Sequence, residues 1–295
     1  MPQAISRPLV SSRMMCDPST ERWDGKMHRV ATDLWGAADR YEPYVGRWSR
    51  LIAKDFVGWL GIVPSARWLD VGCGTGALSS AIIRTAAPAE VRGVDPAEGF
   101  VAMAESLLEG THFAVSVGDA AELPFPDDSF DVVVSGLVLT FVPDLGRALA
   151  EASRVTRPGG TVGAYVWDYA GRMQMIRLFW DAATELDPAA RKLDEAVRFA
   201  DLANPEGLRR SFEDAGLRSV ETCAIDVATV FVDFDDYWLP FLGGEGPAPA
   251  YCVALDDDRR RALREALWEL VPTEPDGSIH LLARAWAVRG SVIPR

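Results

Sequence analysis

Residues 68–76, WLDVGCGTG, place Gly72, Gly74 and Gly76 at alternate positions directly after an apolar run that ends in Asp70. Glycine has no Cβ, so such a loop lets a ligand lie against the backbone, and a helix that follows it offers free N–H groups. A second acid, Asp95, ends the next apolar run, GVD, where a carboxylate can accept hydrogen bonds from both hydroxyls of a ribose. Together they describe a site for a nucleoside-containing ligand. The spacing is GxGxG, not the GxGxxG of a dinucleotide pyrophosphate turn, and no Lys-Ser or Lys-Thr follows to make a triphosphate loop.

These residues need elements that hold them together. After Pro64 the chain alternates between short apolar runs and helical periodicity. Strands are expected at 66–72, 90–95, 111–119, 131–139 and 160–168, with helices at 77–85, 98–108 and 145–155. The continuous valines of DVVVSGLVL suit a strand buried on both faces. Such alternation implies a parallel sheet whose ligands gather at the carboxyl ends of the strands. Before it, apolar residues at Val45, Trp48, Leu51, Ile52, Phe56 and Trp59 predict an amphipathic helix over 41–60. Beyond it, 172–203 reads as mostly helical, 204–217 as a helix capped by Asn204, 217–233 as a strand, 255–270 as a charged helix and 278–290 as a final antiparallel edge strand.

Composition removes several function classes. The 295 residues are 48% apolar and 25% charged, with a formal net charge of −13. That balance argues against a nucleic-acid partner, whose affinity comes from clustered Lys and Arg. There is no run of about 18 apolar residues and no signal-like apolar stretch at the start, so a membrane span is not expected and a cytoplasmic location is. Cys16, Cys73, Cys223 and Cys252 form no CxxC pair and no ligand spacing with His28, His112 and His280, so no metal site is expected. Residues 1–30 carry no periodicity and read as a flexible leader, ahead of a single domain over 31–295.

Four stretches, WLDVGCGTGALS (68–79), GVDPAEGFVAMA (93–104), GDAAELPFPDDSFDVVVSGLVLTFVPD (118–144) and ALAEASRVTRPGGTVGAYVW (148–167), resemble the class I S-adenosylmethionine-dependent methyltransferases, in particular the methyltransferase type 11 group with its ubiquinone and menaquinone biosynthesis enzymes. The resemblance covers residues 40–170 well and the remainder in outline. It implies a Rossmann-like α/β fold: a seven-stranded, mostly parallel sheet with an antiparallel last strand and helices on both faces. It also implies S-adenosyl-L-methionine as cofactor. Carried over by position, Asp70, Gly72, Gly74 and Gly76 would line its amino-acid half, Asp95 its ribose and Pro96 its adenosine. Asp119 and Ala120 would meet the adenine, and Ser135, Gly136 and Leu137 would run under the methionine moiety. Arg47 would pair with the cofactor carboxylate, with Tyr41 or Tyr44 closing over it.

The acceptor side is less defined. Asp168 and Tyr169, at the carboxyl end of the fifth predicted strand, are the candidate acid–base residues. Insertions at 170–203 and 234–251 are expected to shape the acceptor pocket. Their aromatics, Phe179, Trp180, Tyr237, Trp238 and Phe241, favour a mostly apolar hollow for a small, partly apolar acceptor, although a Met and aromatic stripe such as Met175, Leu178, Phe179 and Ala182 reads more naturally as core. Two other readings share the pattern: a non-catalytic S-adenosylmethionine-binding regulator and, less compatible with the glycine spacing, a nicotinamide-dependent oxidoreductase. The sequence leaves the attacking atom and the oligomeric state open.

Overall fold

The structure is a computed structural model that describes residues 42–293. A π-helical turn, Glu42–Gly46, leads into α1 (Arg47–Leu60). Strand and helix then alternate as β1 (Arg67–Val71), α2 (Ala77–Thr85), β2 (Glu90–Asp95), α3 (Glu98–Leu107), β3 (Phe113–Val117), β4 (Phe130–Gly136), α4 (Leu145–Val155) and β5 (Thr156–Trp167). The remainder comprises α5 (Gln174–Leu186), α6 (Glu195–Arg198), α7 (Pro205–Asp214), β6 (Arg218–Phe231), α8 (Phe234–Trp238), α9 (Pro247–Ala254), α10 (Asp257–Leu270) and β7 (Ile279–Ser291). The predicted leader, and Tyr41 with it, lie outside the described residues.

Among the described residues, seven strands form one sheet in the order β3-β2-β1-β4-β5-β7-β6. The pairs β1–β2, β2–β3, β1–β4 and β4–β5 are parallel, and β7 runs antiparallel to both β5 and β6. Right-handed crossovers from β1 through β3 put α2 and α3 on one face, while the reversed step from β4 to β5 puts α4 on the other. The order reverses between β1 and β4, which opens a crevice at their carboxyl ends.

One expectation is corrected here. β7 is not an edge strand: it lies between β5 and β6, and β6 forms the edge. Two of its alternating polar residues, Arg284 and Arg289, are held in ion pairs with β6 on the sheet surface. Arg284 makes two bonds to Asp226 at 2.6 and 2.7 Å, and Arg289 reaches Glu221 at 2.8 Å while donating to the carbonyls of Trp59 and Leu60. Asn204 caps α7 as expected, its side-chain oxygen accepting from Gly207 N at 2.8 Å.

The insertions pack on each other. Phe179 of α5 stacks on Phe241 at 4.5 Å, and Tyr237 meets Phe231, Phe234 and Phe241. Phe179, Trp180, Tyr237, Trp238 and Phe241 are all buried, and none of them lines the cavity described below. The aromatic density read as pocket wall is a core that seats the insertions on the sheet.

Candidate functional site

A cavity of about 650 Å³ opens at the carboxyl ends of β1, β2, β4 and β5, a size typical of small-molecule sites. The loop after β1 forms one wall. Gly72, Gly74 and Gly76 all have left-handed backbones, with φ of 72°, 53° and 84°, a region where an L side chain is strained. A Cβ on Gly72 would strike Val138 at 2.6 Å, whereas one on Gly74 would meet nothing within 4 Å and project into open space. Gly74 therefore leaves the cradle free. Gly76 sits behind it, against Leu108 and Ala104, and does not line the cavity.

Asp95 braces that loop. Its Oδ2 accepts from Gly74 N and its Oδ1 from Ala97 N, both at 2.9 Å. Each oxygen keeps a lone pair for a further donor. Burial raises its pKa, against the lowering effect of the Ala97 and Gly74 bonds. Asp70 is fully buried; its Oδ2 accepts from Ser79 Oγ at 2.7 Å, and its Oδ1 has no partner among the described residues. Burial lifts the Asp70 carboxyl to about 7, opposed by the Ser79 bonds and reinforced by Asp95. An orphaned buried carboxylate oxygen costs free energy until a donor arrives.

Asp70, Gly72, Gly74, Asp95, Pro96, Asp119, Ala120, Gly136, Leu137 and Tyr169 all face this one cavity. Tyr44 does as well, and its buried hydroxyl has no hydrogen-bond partner among the described residues. Leu137 holds a left-handed φ of 64°, fixed by its N–H bond to Tyr165 O at 2.8 Å; a strained non-glycine residue at a ligand wall is where fold and site compete. Gly136 touches Tyr165, since a Cβ there would come within 2.5 Å of its hydroxyl, and the ring is held by Phe56 at 4.7 Å. Gly136→Ala is expected to cost about 1–3 kcal/mol by overpacking; a thermal melt that matches wild type would show that Tyr165 yields freely.

Three of the expected residues are engaged elsewhere. Arg47 pairs with Asp236 at 2.9 Å and lies over the rings of Trp48 and Phe231. Ser135 donates to Val71 O at 2.8 Å, tying β4 to β1. Asp168 accepts from Arg172 N at 3.0 Å and closes the turn after β5. None of the three lines the cavity.

Sequence reasoning missed Glu195, Ile176 and Pro247, which line the cavity together with Tyr165, Trp167 and Tyr169 at the end of β5. Glu195 is 1% exposed and accepts from Trp180 Nε1. Burial lifts its carboxyl to about 7, opposed by bonds from its own backbone and Trp180. Its stretch, LDEAVRF, reads as an ordinary helix start, and nothing local shows that it faces inward. Among the described residues the cavity wall carries no Lys, Arg or His, so its field is set by Asp70, Asp95, Asp119 and Glu195.

The strand order and the crevice where it reverses make a Rossmann-like α/β fold, and this fold resembles that of solved methyltransferase structures. Residues 69–163 match the family model of the methyltransferase domain. The demethylmenaquinone methyltransferase of Staphylococcus aureus is 35% identical over 144 residues, which cover 46% of this chain and 58% of that protein; the chain thus spans little more than half the length of the curated relatives it matches. Among solved structures, a putative methyltransferase from Bacillus halodurans superposes with a TM-score of 0.55 at 15% identity, covering 82% of this chain and 98% of that one. Phosphoethanolamine N-methyltransferase 2 of Haemonchus contortus, solved with phosphomonomethylethanolamine and S-adenosylhomocysteine, superposes at 0.51 with 17% identity, covering 82% and 52%. No helix among the described residues is long and apolar enough to cross a membrane.

Proposed function

We propose that this chain transfers a methyl group from S-adenosylmethionine to a small, partly apolar acceptor, as a single domain over residues 31–295 acting in the cytoplasm. The observation that carries the reading is the convergence of Asp70, the open Gly74 cradle, Asp95 and Asp119 on one cavity that continues past the donor site into an aromatic wall. The residues fit the cofactor: Asp70 offers an unpartnered oxygen, and Asp95 offers two oxygens already held in place by backbone N–H groups. Asp70 and the loop over Gly72 and Gly74 would hold the amino-acid half, Asp95 and Pro96 the ribose side, and Asp119 and Ala120 the adenine.

When bound, the cofactor supplies an activated methyl group on a sulfonium. The protein's work is then orientation and exclusion of water. Asp95 and the strained Leu137 would fix the donor wall, while Trp167, Tyr169 and Phe141 line the cavity beyond it. Carboxylates and aromatic faces tolerate a sulfonium cation without attacking it. The Staphylococcus relative acts on a demethylmenaquinone by its name, and the Haemonchus structure holds S-adenosylhomocysteine. Both support the donor assignment, and neither extends to this chain's acceptor.

Calorimetric titration with S-adenosylhomocysteine and with NAD tests the reading. S-adenosylhomocysteine is expected to bind with a micromolar or tighter Kd and NAD to give no heat. Tight NAD binding with none for S-adenosylhomocysteine would sink it.

A further inference from the structure

Resting on that donor assignment, we propose that Glu195 is the acceptor-recognition residue and that the acceptor is a small amine on an aromatic or aliphatic skeleton, bound as its ammonium ion. Three carboxylates on the β1, β2 and β3 side of the cavity, Asp70, Asp95 and Asp119, have donor-side positions. Glu195 alone stands on the opposite side, brought there by the insertion after β5, and the donor assignment gives it no task.

Its placement is built. Arg177 of α5 grips Asp194 through two bonds at 3.2 and 2.8 Å, and Asp194 caps α6 by accepting from Ala196 N at 2.8 Å. Trp180, one turn on from Arg177, donates to Glu195 Oε2. Phe199, one turn beyond Glu195, packs on Phe141 at 5.2 Å and on Tyr169 at 5.6 Å, so the segment is pinned to the cavity wall. Asp194 is thereby saturated by its partners, whereas Glu195 forms no ion pair among the described residues. Arg198, the nearest cation on its own segment, lies over the Phe199 ring at 5.0 Å.

A buried carboxylate with no ion pair among the described residues, beside the buried Tyr44 hydroxyl that has no hydrogen-bond partner among them and the rings of Tyr169, Phe141 and Trp167, is an arrangement that an ammonium ion completes. The carboxylate supplies the opposite charge, and aromatic faces favour a cation beside them. A neutral hydroxyl would satisfy one lone pair and leave the charge without an ion-pair partner, and an anionic acceptor would meet four carboxylates and, among the described residues, no Lys, Arg or His. Burial lifts Glu195 to about 7, which suits a group that must also accept a proton. In the transfer, an ammonium N–H proton passes to Glu195, and the freed nitrogen lone pair forms the new N–CH₃ bond. The C–S bond breaks with its electron pair going to sulfur, giving S-adenosylhomocysteine, and the proton leaves to solvent.

The test is calorimetry at pH 8 on the protein loaded with S-adenosylhomocysteine, using 2-phenylethylamine, its alcohol isostere 2-phenylethanol and 4-ethylphenol. The amine is expected to bind at least about 10-fold more tightly than either hydroxyl compound, as a charge-assisted bond in a buried site requires. Glu195→Gln, which keeps an oxygen for Trp180, should erase that preference while leaving S-adenosylhomocysteine affinity within about 3-fold of wild type, and Glu195→Asp should restore part of it. Equal binding of amine and alcohol by wild type, no binding of the amine, or a preference that survives Glu195→Gln would overturn the proposal. The isostere comparison on wild type stands even if the variants fold poorly. Failure to bind S-adenosylhomocysteine would instead sink the donor assignment, with amine binding still measurable on the unloaded protein.

Discussion

Asp95→Ala is expected to weaken S-adenosylhomocysteine binding by about 3 kcal/mol, roughly 150-fold in Kd. Two losses add. The carboxylate's remaining lone pairs are those assigned to the ribose hydroxyls, and hydrogen bonds to a charged group contribute about 1.5–3 kcal/mol each. The same carboxylate also holds Gly74 N and Ala97 N at 2.9 Å, so its removal frees the loop on which the ligand must lie. Asp95→Asn should fall between, because one amide oxygen can accept from only one side of the loop. Calorimetry on both variants decides the matter: an alanine variant with wild-type affinity would refute the ribose assignment, and equal losses in the two would assign the whole effect to charge.

The second large effect is a stability that depends on pH in an unusual direction. Asp70 titrates at about 7 in the folded chain because burial disfavours its charge, against an unfolded value near 3.8. A folded-state pKa that is raised means that the native state holds the proton more tightly. The stabilisation is therefore complete below about pH 4 and is lost as pH rises through about 7. Glu195 adds a parallel loss between its unfolded value near 4.5 and about 7. For Asp70 alone the span corresponds to about 4 kcal/mol. Asp131 and Glu151, whose pKa values are lowered by Arg67, Arg157 and Arg154, act in the opposite sense, but only at more acid pH. The ligand-free protein should thus melt at a lower temperature at pH 8 than at pH 5. Asp70→Asn should flatten that slope, raising ligand-free stability at pH 8 by about 2–4 kcal/mol while weakening cofactor affinity. A wild-type melting temperature that rises from pH 5 to pH 8, with Asp70→Asn unchanged in both respects, would show that the buried carboxyl is solvated after all.

The convergence of Asp70, the glycine loop and Asp95 on one cavity was legible because its geometry is local. Asp95 ends β2 and Asp70 is the last residue but one of β1, and strand ends next to a reversal of order are where a parallel sheet gathers its ligands. The GxGxG turn follows in the same short stretch. Beyond the end of β5, the opposite wall of the cavity was not legible, since it depends on how segments distant in sequence meet. Arg47 has the right charge on the right helix, yet whether it faces a ligand or Asp236 is decided 189 residues later. Glu195 carries no local mark, because its inward aim comes from the Arg177–Asp194 clamp and from Trp180. β7 was misread as an edge because alternation reports which faces of a strand are apolar, whereas an edge or interior position is set by backbone pairing, here to β5 on one side and β6 on the other. Phe179 and Tyr237 show the same limit: aromatic content says that something apolar is covered, and only packing says whether a ligand or another helix covers it.

The position of β7 also sets a timetable for synthesis. β5 cannot complete its hydrogen bonding until Ile279–Ser291 have been made, because that strand lies between it and β6. About 110 residues separate the end of β5 from the start of β7, which is roughly 6–20 s of translation at bacterial and eukaryotic rates. Over that interval the nascent chain carries the glycine loop in a sheet whose β5 edge is open and prone to pair with another chain. Chaperone capture, or aggregation of chains arrested before residue 279, is therefore where expression of this protein is most exposed to failure, whatever the stability of the finished fold.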